Sequence, residues 1–389
     1  SRQRYWGTPI PVLYCDECGM VPEKLENLPV LLPDDVAFMP TGESPLKTHA
    51  PFLEATCPSC GGKARRETDT MDTFQDSSWY WFRYLSPHDD ERPFDPELAA
   101  RWTPVDMYTG GIEHAILHLM YARFFTKVLR DMGLVTWGEP FLRLRNQGMI
   151  LGNDGEKMSK SRGNVIAPDD IVKVHGADTV RAYLMFFSRW ELGGPWSAGG
   201  IEGTSRWIRR VWSIIMEPAE TRPVSDEVIK SLRRKLHQSL KSIQRDFIEF
   251  GFNTVVSTLM ELLNEMSKAK QAGVYGTEVW KEAVRIYLLM LAPVTPHLAE
   301  EIWTQLGYPY SIHQQAWPIV DEESAKDEEI TLIIQVNGKV RDRIVVPVGL
   351  PEEEAKSRAL SSEAVQKFLE GKTPRQVIYV RGKLINIVI

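Results

Sequence analysis

Apolar residues recur at helical spacing through much of the second half of the chain. Between residues 203 and 315 nearly every segment follows this pattern. Within this region Thr295-Pro296 begins one helix, with proline at the first helical position, and Gly307 ends it. These positions predict a helical bundle with an apolar core, and we assign them no chemistry. The clearest stripe, at i, i+3/i+4 and i+7, consists of Val255, Val256, Leu259, Leu262, Leu263 and Met266.

The first part of the chain has a different pattern. Residues 1–14 are extended, and residues 15–66 contain short apolar runs separated by prolines and glycines. Residues 105–109 favour a strand that ends at Gly110-Gly111, and helical spacing then continues to a C-terminal cap at Gly133. A strand, a glycine turn and a helix in this order predict one βα unit of a parallel sheet.

The C-terminal residues predict a small α+β unit. Residues 321–329 form an acidic linker, after which two β-favouring runs flank Asn337-Gly338, a strong hairpin signal. Helical spacing then runs from Pro351 to about Leu369, and two more strand patterns follow.

Composition and charge limit the partners of the chain. Its 389 residues are 43% hydrophobic and 25% charged, as in an ordinary soluble protein of roughly two to four domains. No apolar run approaches the ~18 residues that cross a bilayer, so we expect no membrane partner. The net charge of −6 argues against a uniformly basic nucleic-acid-binding surface. An RNA partner would have to contact local basic patches.

Basic residues do cluster in two places. Each cluster is either a solvated face or a phosphate-binding surface. The first lies in the predicted bundle and consists of Arg206, Arg209, Arg210, Arg233, Arg234, Lys235, Lys241 and Arg245. The second lies in the small C-terminal unit and consists of Lys339, Arg341, Arg343, Lys372, Arg375, Arg381 and Lys383.

The four cysteines of the chain form two pairs with the same local pattern. Cys15 and Cys18 precede one glycine, and Cys57 and Cys60 precede a glycine pair. Each Cys-x-x-Cys spacing lets two thiolates face one ion, and the glycine permits the tight turn that the knuckle needs. Four thiolates fill a tetrahedral zinc shell, so the spacing predicts a structural Zn²⁺ site. Disulfides and a thioredoxin-like redox motif are the alternatives.

A cationic loop lies between glycines at residues 155–163. Lys157 and Lys160 can neutralise a polyphosphate, while Ser159, Ser161 and the backbone N–H groups add directional hydrogen bonds. The order of residues is not that of a Walker loop. A random Lys-x-x-Lys pair is usually a solvated basic turn.

Several segments resemble one family. The string Lys157-Met158-Ser159-Lys160-Ser161 matches the second signature of class I aminoacyl-tRNA synthetases. Residues 1–11 are similar to a strand that re-enters the nucleotide-binding fold of the leucyl, isoleucyl and valyl enzymes. Residues 66–74, 110–119 and 382–389 are similar to the leucyl version. The chain as a whole resembles the C-terminal part of the bacterial-type leucyl-tRNA synthetases.

The resemblance implies a fold and its domains. The implied fold is multidomain, α/β plus all-α. It comprises the second half of a class I Rossmann-type catalytic domain (1–14 and 67–150), a zinc-ribbon insert (15–66), the lysine loop and its connection (151–202), a helical anticodon-binding-type bundle (203–320), and a small C-terminal α+β tRNA-binding domain (328–389).

The resemblance also implies an activity. The family joins leucine to ATP as leucyl-adenylate, releases pyrophosphate, and transfers the leucyl group to its tRNA. Lys157 and Lys160 would offset the charge on the departing pyrophosphate, with Ser159 and Ser161 as further catalytic residues. Magnesium would accompany ATP, held mainly by the phosphates.

The nucleotide and the amino acid are expected to contact residues outside the lysine loop. By resemblance, Gly110 and Gly111 let the adenosine approach the backbone, and Glu113 accepts bonds from the ribose. His114 and His118, four apart on one predicted helix face, line the leucine side; a structural His pair is the alternative, since no third metal ligand is evident. A strand that contains Gln147 and Met149 presents backbone groups to adenine, or is a plain core strand. Met158 is expected to complete the nucleotide-binding set.

The resemblance further implies partners and a missing part. The first class I signature and the editing domain belong upstream of Ser1, so we expect a fragment that needs the N-terminal half of the same enzyme, covalently or as a split subunit. We expect the isolated chain to make no aminoacyl-tRNA. Its partners would be tRNA-Leu and leucine, its state monomeric, and its location the cytoplasm.

Two other functions fit the same residues. The first is a non-catalytic, zinc-containing RNA-binding module, which would have no use for the lysine loop or for Glu113. The second is a related synthetase for isoleucine, valine or methionine. The two-histidine segment and the β-rich C-terminal unit favour the leucyl family over these.

Overall fold

The computed structural model describes residues 5–38, 42–327, 329–369 and 371–389. Residues 1–4, which carry the start of the predicted first strand, lie outside the described residues. So do 39–41 of the predicted ribbon and 328 and 370 of the predicted C-terminal domain. The chain divides into two compact units, Ser1–Met149 and Ile150–Ile389. No helix in the described ranges is long and apolar enough to span a bilayer.

The first unit contains a four-stranded antiparallel sheet around the cysteine pairs. Its strands are β1 (Val12–Cys15), β2 (Gly19–Pro22), β3 (Glu54–Thr56) and β4 (Lys63–Arg66), in the order β2-β1-β4-β3. A single helical turn, α1 (Ala50–Leu53), precedes β3. Leu13, Cys15 and Ala64 are buried on one face. The sheet therefore includes residues 12–14, which the sequence pattern assigned to the catalytic domain.

The rest of this unit is a βα arrangement with an aromatic core. Tyr108 to Gly111 pairs in parallel with Leu144 to Gln147. The predicted C-terminal cap at Gly133 is confirmed. Helix α5 ends just before this glycine, which has φ +76°. Trp81 and Phe82 are buried in the core. The elements are α2 (Thr73–Ser77), α3 (Tyr80–Arg83), α4 (Pro96–Trp102), β5 (Tyr108–Gly111), α5 (His118–Asp131) and β6 (Leu144–Gln147).

The expectation that His114 and His118 share one helix face is wrong. His114 belongs to a 3-10 helix, Ile112–Ala115, and α5 begins only at His118. Leu117 between them has a non-helical backbone, with φ −98° and ψ −98°. The break turns the chain between the two helices, yet the imidazole ring centroids remain 6.2 Å apart.

The second unit begins within β7 (Met149–Leu151), which pairs with β8 (Gly193–Pro195). Between them lie α6 (Pro168–His175) and α7 (Ala177–Phe186). Gly176, with φ +81°, separates these helices and lets the chain change direction.

The predicted helical bundle is confirmed. All six residues of the Val255–Met266 stripe are completely buried. A π-helical turn at Lys270–Val274 contains Gly273, whose φ of +103° few side chains adopt. The helices are α8 (Ala198–Met216), α9 (Asp226–Ile248), α10 (Phe252–Ala269), α11 (Glu278–Leu291) and α12 (Pro296–Gln305).

The acidic segment after the bundle is bound to α9. The Asp321 backbone N–H donates to His237 Nδ1 over 3.2 Å, and Lys241 pairs with Glu322 at 2.7 Å. The Gln238 side chain also donates to the Asp327 carboxylate. The predicted linker is thus tied to the helix surface because its carboxylates meet the basic side of α9.

The small C-terminal α+β unit has the four predicted strands, but the single helix predicted for residues 351–369 is two helices, separated by the extended backbone of Ser362. Asn337 and Gly338 both have positive φ, as a hairpin turn of the predicted kind requires. The sheet order is β10-β9-β12-β11, with β12 parallel to β9. The core joins strand residues Leu332, Ile334 and Ile385 to helix residues. The elements are β9 (Glu329–Val336), β10 (Lys339–Pro347), α13 (Glu352–Ser361), α14 (Glu363–Leu369), β11 (Gln376–Val380) and β12 (Leu384–Val388).

Candidate functional site

The four cysteines converge at the ends of the ribbon strands. Their sulfur atoms all lie within 4.8 Å of one another, and Cys15 Sγ is 3.6 Å from Cys60 Sγ. All four thiols are free. Tetrahedral zinc–sulfur bonds of ~2.3 Å place the sulfurs about 3.8 Å apart, whereas a disulfide needs about 2.05 Å. The donor set therefore fits a zinc ion better than a disulfide.

The two knuckles create unequal thiols. Backbone N–H groups of Cys60 and Ser59 point at the Cys57 sulfur and lower the pKa of that thiol to about 6, against the opposing effect of burial. A hydrogen bond with Cys60 raises the pKa of Cys18 to about 12. Gly19 and Gly61 follow the second cysteines with φ of +72° and +73°. The glycines thus allow the turns that point backbone amides at sulfur.

The lysine loop is a braced turn in the second unit. The Asn164 side chain accepts from the Ser159 backbone N–H at 2.9 Å and donates to the Lys157 carbonyl at 3.3 Å. Its amide also donates to the Asp154 carboxylate at 3.1 Å. Hydrogen bonds from the Glu156 backbone and from Asn164 lower the pKa of Asp154, so this acceptor stays ionised. The brace fixes the backbone without using the lysine side chains.

Both lysines of the loop are exposed cations. Neither Lys157 nor Lys160 makes an ion pair with any residue that the structure describes. Ser159 Oγ and Ser161 Oγ lie 3.2 Å apart, and Met158 is half-buried beside them. The loop therefore offers two ammonium groups and a pair of hydroxyls to a polyanion.

A cavity of about 480 Å³ lies in the first unit, beside β5 and the start of α5. The predicted residues that line it are Gly110, Gly111, His114 and His118. Sequence reasoning missed the other polar groups on its wall. These are Thr73, Ser77, Tyr80, Tyr108, Thr109 and Asn146, with Phe74 among the apolar ones.

A chain of hydrogen bonds runs along the cavity wall. Ser77 Oγ donates to the Phe74 carbonyl at 3.2 Å and lies 3.3 Å from His118 Nδ1. His118 Nε2 is 2.6 Å from the Tyr108 hydroxyl, which is 2.8 Å from the Tyr80 hydroxyl. A carbonyl can only accept, so the consistent direction gives His118 its proton on Nδ1 and makes Nε2 the acceptor from Tyr108.

The electrostatics of the wall agree with a neutral imidazole. Burial, together with the nearby His114 ring, lowers the pKa of His118. Burial raises the pKa of Tyr108, so this hydroxyl keeps its proton. His114 Nδ1 is buried without a hydrogen-bond partner among the described residues. The wall thus presents a neutral imidazole at His118 and one unused polar atom at His114.

The other predicted nucleotide-binding residues lie at the strand ends. A Cβ on Gly110 would meet no described atom within 4 Å, whereas a Cβ on Gly111 would overlap the Glu113 carboxylate. Gly111 therefore makes room for the Glu113 side chain. Gln147 is paired with Gly111 across the sheet. Met149 begins the next strand and is half-buried.

The basic residues of the bundle are largely engaged within it. Arg233 pairs with Glu282 at 2.9 Å and Lys235 with Glu261 at 3.1 Å. Arg210 donates to Asn264 and Arg209 to the Ser205 hydroxyl. These partners weaken the case for a strongly positive surface on the bundle itself.

Comparison with known proteins places these sites in a family. Residues 1–191 match the family described as tRNA synthetases class I (I, L, M and V), and residues 230–356 match the anticodon-binding domain of tRNA ligase. A leucine–tRNA ligase of Dehalococcoides mccartyi is 56% identical over 389 residues, and one of Deinococcus radiodurans is 57% identical over 388. The chain is thus similar along its whole length to leucine–tRNA ligases. The prediction of a leucyl rather than an isoleucyl, valyl or methionyl relative is confirmed.

A solved structure of the leucine–tRNA ligase family supports the fold. The ternary complex of Agrobacterium radiobacter K84 agnB2 LeuRS-tRNA-LeuAMS matches 99% of this chain with a TM-score of 0.83 and 37% identity. The chain covers 51% of that protein, 48% of the Dehalococcoides relative and 47% of the Deinococcus relative. It thus spans about half the length of the relatives that it matches.

Proposed function

We propose that the chain is the C-terminal part of a leucine–tRNA ligase. Together with an amino-terminal part, it would join leucine to ATP and then transfer the leucyl group to tRNA-Leu. One observation carries this function: the chain is 56% identical, along its full length, to a leucine–tRNA ligase. The exposed lysines of the braced loop support it, because a purely structural turn has no need of them.

The lysine loop would act in the first step. Attack by the leucine carboxylate on the α-phosphorus of ATP moves negative charge onto the departing pyrophosphate. Lys157 and Lys160 would stabilise that charge, and Ser159 and Ser161 would hydrogen-bond to phosphate oxygens. Magnesium, held mainly by the phosphates, would supply further positive charge.

The cavity in the first unit would bind the leucine side chain. Its wall is uncharged where Tyr108 and His118 meet, which suits an apolar group. Such a pocket separates side chains that differ by one methylene by only ~1–3 kcal/mol. Glu113, Gln147 and Met149 would contact the nucleotide, beside the open space at Gly110.

A zinc ion would have a structural role in the ribbon. Cys15, Cys18, Cys57 and Cys60 would supply all four ligands, which leaves no position for water. When bound, zinc would hold the two knuckles together; we assign it no catalytic step.

The tRNA would contact the second unit. The match of residues 230–356 to an anticodon-binding domain supports this assignment. In the small C-terminal unit, Arg375, Arg381 and Lys383 are candidates for phosphate contact. We propose an assembly with one copy of each part of the enzyme.

The activity is tested by leucine-dependent exchange of pyrophosphate into ATP. The chain is co-expressed with the amino-terminal part of the Dehalococcoides relative, and the complex is assayed. We expect exchange by the complex and none by the chain alone. Lys160→Ala should reduce the exchange rate by about 10²-fold, whereas Lys173→Ala, on an exposed helix, should not.

Two results would contradict the proposal. Leucine-dependent exchange by the chain alone would show that no other part is needed. A complex that binds tRNA-Leu but never forms adenylate would favour the non-catalytic RNA-binding function.

A further inference from the structure

The lysine loop is bound by many hydrogen bonds although it buries no side chain. Every side chain from residue 153 to residue 165 is exposed or half-buried. A segment without buried apolar contacts normally opens easily, so apolar packing cannot hold this loop in one conformation. The hydrogen bonds within the loop must do so instead.

Side chains join the two limbs of the loop at two levels. Asp154 on the incoming limb accepts from the Asn164 amide on the outgoing limb at 3.1 Å. Nearer the tip, Glu156 pairs with Arg162 at 3.4 Å, and these side chains are 61% and 58% exposed. Ion pairs as exposed as this one contribute little. The brace between Asp154 and Asn164 is therefore the contact that holds the limbs together.

The brace also holds the backbone that carries the first lysine. The Asn164 amide donates to the Lys157 carbonyl at 3.3 Å, and its oxygen accepts from the Ser159 N–H at 2.9 Å. Asp154 in turn accepts from the Glu156 N–H at 3.1 Å. The two side chains thus bind three backbone groups between Glu156 and Ser159, while the lysine side chains of the loop stay exposed.

The chain makes room for the brace at Gly152. A Cβ at this position would lie 2.7 Å from Asp154 Oδ1 and 3.0 Å from Asn164 Nδ2. The Gly152 N–H also donates to the Glu156 carbonyl at 2.8 Å, one residue after the end of β7. The brace is thereby joined to the end of a strand, which gives the loop a fixed base.

The position of this backbone matters for the reaction proposed above. An oxygen of the leucine carboxylate bonds to the α-phosphorus, the bond from that phosphorus to the bridging oxygen breaks, and the electron pair leaves on pyrophosphate. This charge develops only as the bond breaks, so the ammonium groups must already be in place. Because lysine side chains are flexible, the backbone decides where they can reach. A misplacement of about 1 Å can lower a rate by about 10²-fold.

We propose that Asp154 and Asn164 are positioning residues for adenylate formation, because they hold the backbone from which Lys157 and Lys160 reach the departing pyrophosphate. The inference rests on the proposed function and adds two residues that act through the lysines. The competing role of the brace is purely structural. A loss of stability would lower the amount of active enzyme and hence both of its steps, whereas a loss of positioning affects the step that releases pyrophosphate.

The test exchanges the two side chains of the brace. Asn164→Asp removes the donor and places two carboxylates face to face, so the limbs should separate. The double variant Asp154→Asn/Asn164→Asp again sets a donor opposite an acceptor and has the net charge of the wild type. A carboxylate at position 164 can still accept from the Ser159 N–H. Asn153→Ala, which changes an exposed neighbour, is the matched control.

Two steps are measured on the complex with the amino-terminal part of the Dehalococcoides relative. The first is leucine-dependent exchange of pyrophosphate, measured as kcat and as KM for leucine. The second is transfer of the leucyl group from supplied leucyl-adenylate to tRNA-Leu, which releases AMP instead of pyrophosphate. We expect Asn164→Asp to lower the kcat of exchange at least about tenfold, with KM for leucine and the transfer rate unchanged. The double variant should recover most of this loss, and Asn153→Ala should match the wild type.

Three results would overturn the inference while the wild-type complex remains active. These are exchange by Asn164→Asp at the wild-type rate, an equal fall in both steps, and a double variant no faster than Asn164→Asp. A wild-type complex without leucine-dependent exchange would instead refute the proposed function, and the inference with it. The activity of the wild type therefore distinguishes the two failures.

Discussion

The Tyr108 hydroxyl lies 2.6 Å from Nε2 of His118, and the two residues come from the strand and the helix that flank the same cavity. Because the Ser77 hydroxyl donates a hydrogen bond to the Phe74 carbonyl, the row of hydrogen bonds has one consistent direction. Tyr108 then donates to a neutral imidazole. A proton on Nε2 would force the Tyr108 hydroxyl to rotate and accept instead, so Tyr108 as a donor opposes charge on His118.

Tyr108→Phe should raise the pKa of His118. The substitution removes the hydroxyl that stabilises the neutral ring but keeps the stacking of the ring on Phe141. We expect about 0.5–1.5 kcal/mol of lost stability from the missing hydrogen bond. An NMR titration of the His118 ring nitrogens measures the change directly.

Tyr80→Phe is the control for this variant. Tyr80 lies at the far end of the row of hydrogen bonds. Loss of the Tyr80 hydroxyl therefore leaves the hydrogen bond between Tyr108 and His118 in place. The hydrogen bonds of the cavity wall would have no defined direction if the pKa of His118 were unchanged in Tyr108→Phe. The same would follow if Tyr80→Phe changed that pKa equally.

Acidic pH should destabilise the fold through His118. Burial lowers the pKa of His118 in the folded state below the ordinary value of ~6.5, so the unfolded state binds the proton more tightly. The contribution of His118 is therefore complete above about pH 6.5 and decreases as the pH falls toward the folded-state pKa. Urea unfolding of the wild type and of His118→Gln at several pH values isolates this effect. A constant difference between the two proteins below pH 6.5 would refute it.

The sequence correctly predicted the elements that depend on residues close together along the chain. The Val255–Met266 stripe and the Asn337-Gly338 turn depend on helical period and on turn residues, and both are present. The wall of the cavity depends on residues distant in sequence: Tyr80 and Tyr108 are 28 positions apart, and Ser77 and His118 are 41 apart. No spacing rule connects such pairs, so only tertiary packing reveals them.

The lysine loop was only partly predictable from the sequence. Its cations were evident from the sequence, but the brace between Asp154 and Asn164 was not. The signal was present, because Asp and Asn at loop ends often hydrogen-bond to nearby backbone groups. The helix break at Leu117 had no such signal.

Asn164→Ala should loosen the lysine loop. The variant removes the acceptor of the Ser159 N–H and the donor to Asp154, each worth about 0.5–1.5 kcal/mol. We expect the Ser159 amide to exchange with solvent roughly tenfold faster, since the Asn164 acceptor is lost. Asn153→Ala, an exposed neighbour, is the control. Equal exchange rates in the two variants would mean that the brace does not order the loop.

The cysteine cluster should bind one zinc ion per chain. Cys57, with a pKa of about 6, supplies a thiolate at neutral pH without help from the metal. Zinc content measured by atomic absorption should fall to near zero in Cys57→Ser and stay at one in Ser59→Ala, which keeps the backbone N–H. A chelator should lower the melting temperature of the wild type, and acid should release the metal because protons compete with zinc for the thiolates. Full zinc content in Cys57→Ser would exclude the four-cysteine site.

Asp178 should stabilise the second unit by joining two helix ends. It lies in the first turn of α7, and its carboxylate accepts from the Leu298 backbone N–H at 2.7 Å, in the first turn of α12. The same carboxylate is 2.9 Å from Nδ1 of His297. A negative charge near two helix N-termini is favourable at both. Asp178→Asn keeps the shape and removes the charge, and we expect a loss of about 1–3 kcal/mol in urea unfolding. Asp169→Asn removes an exposed carboxylate from the first turn of α6 alone and should cost less than about 1 kcal/mol. If both variants unfold at the same urea concentration, the contact between α7 and α12 adds nothing beyond an ordinary helix-end charge.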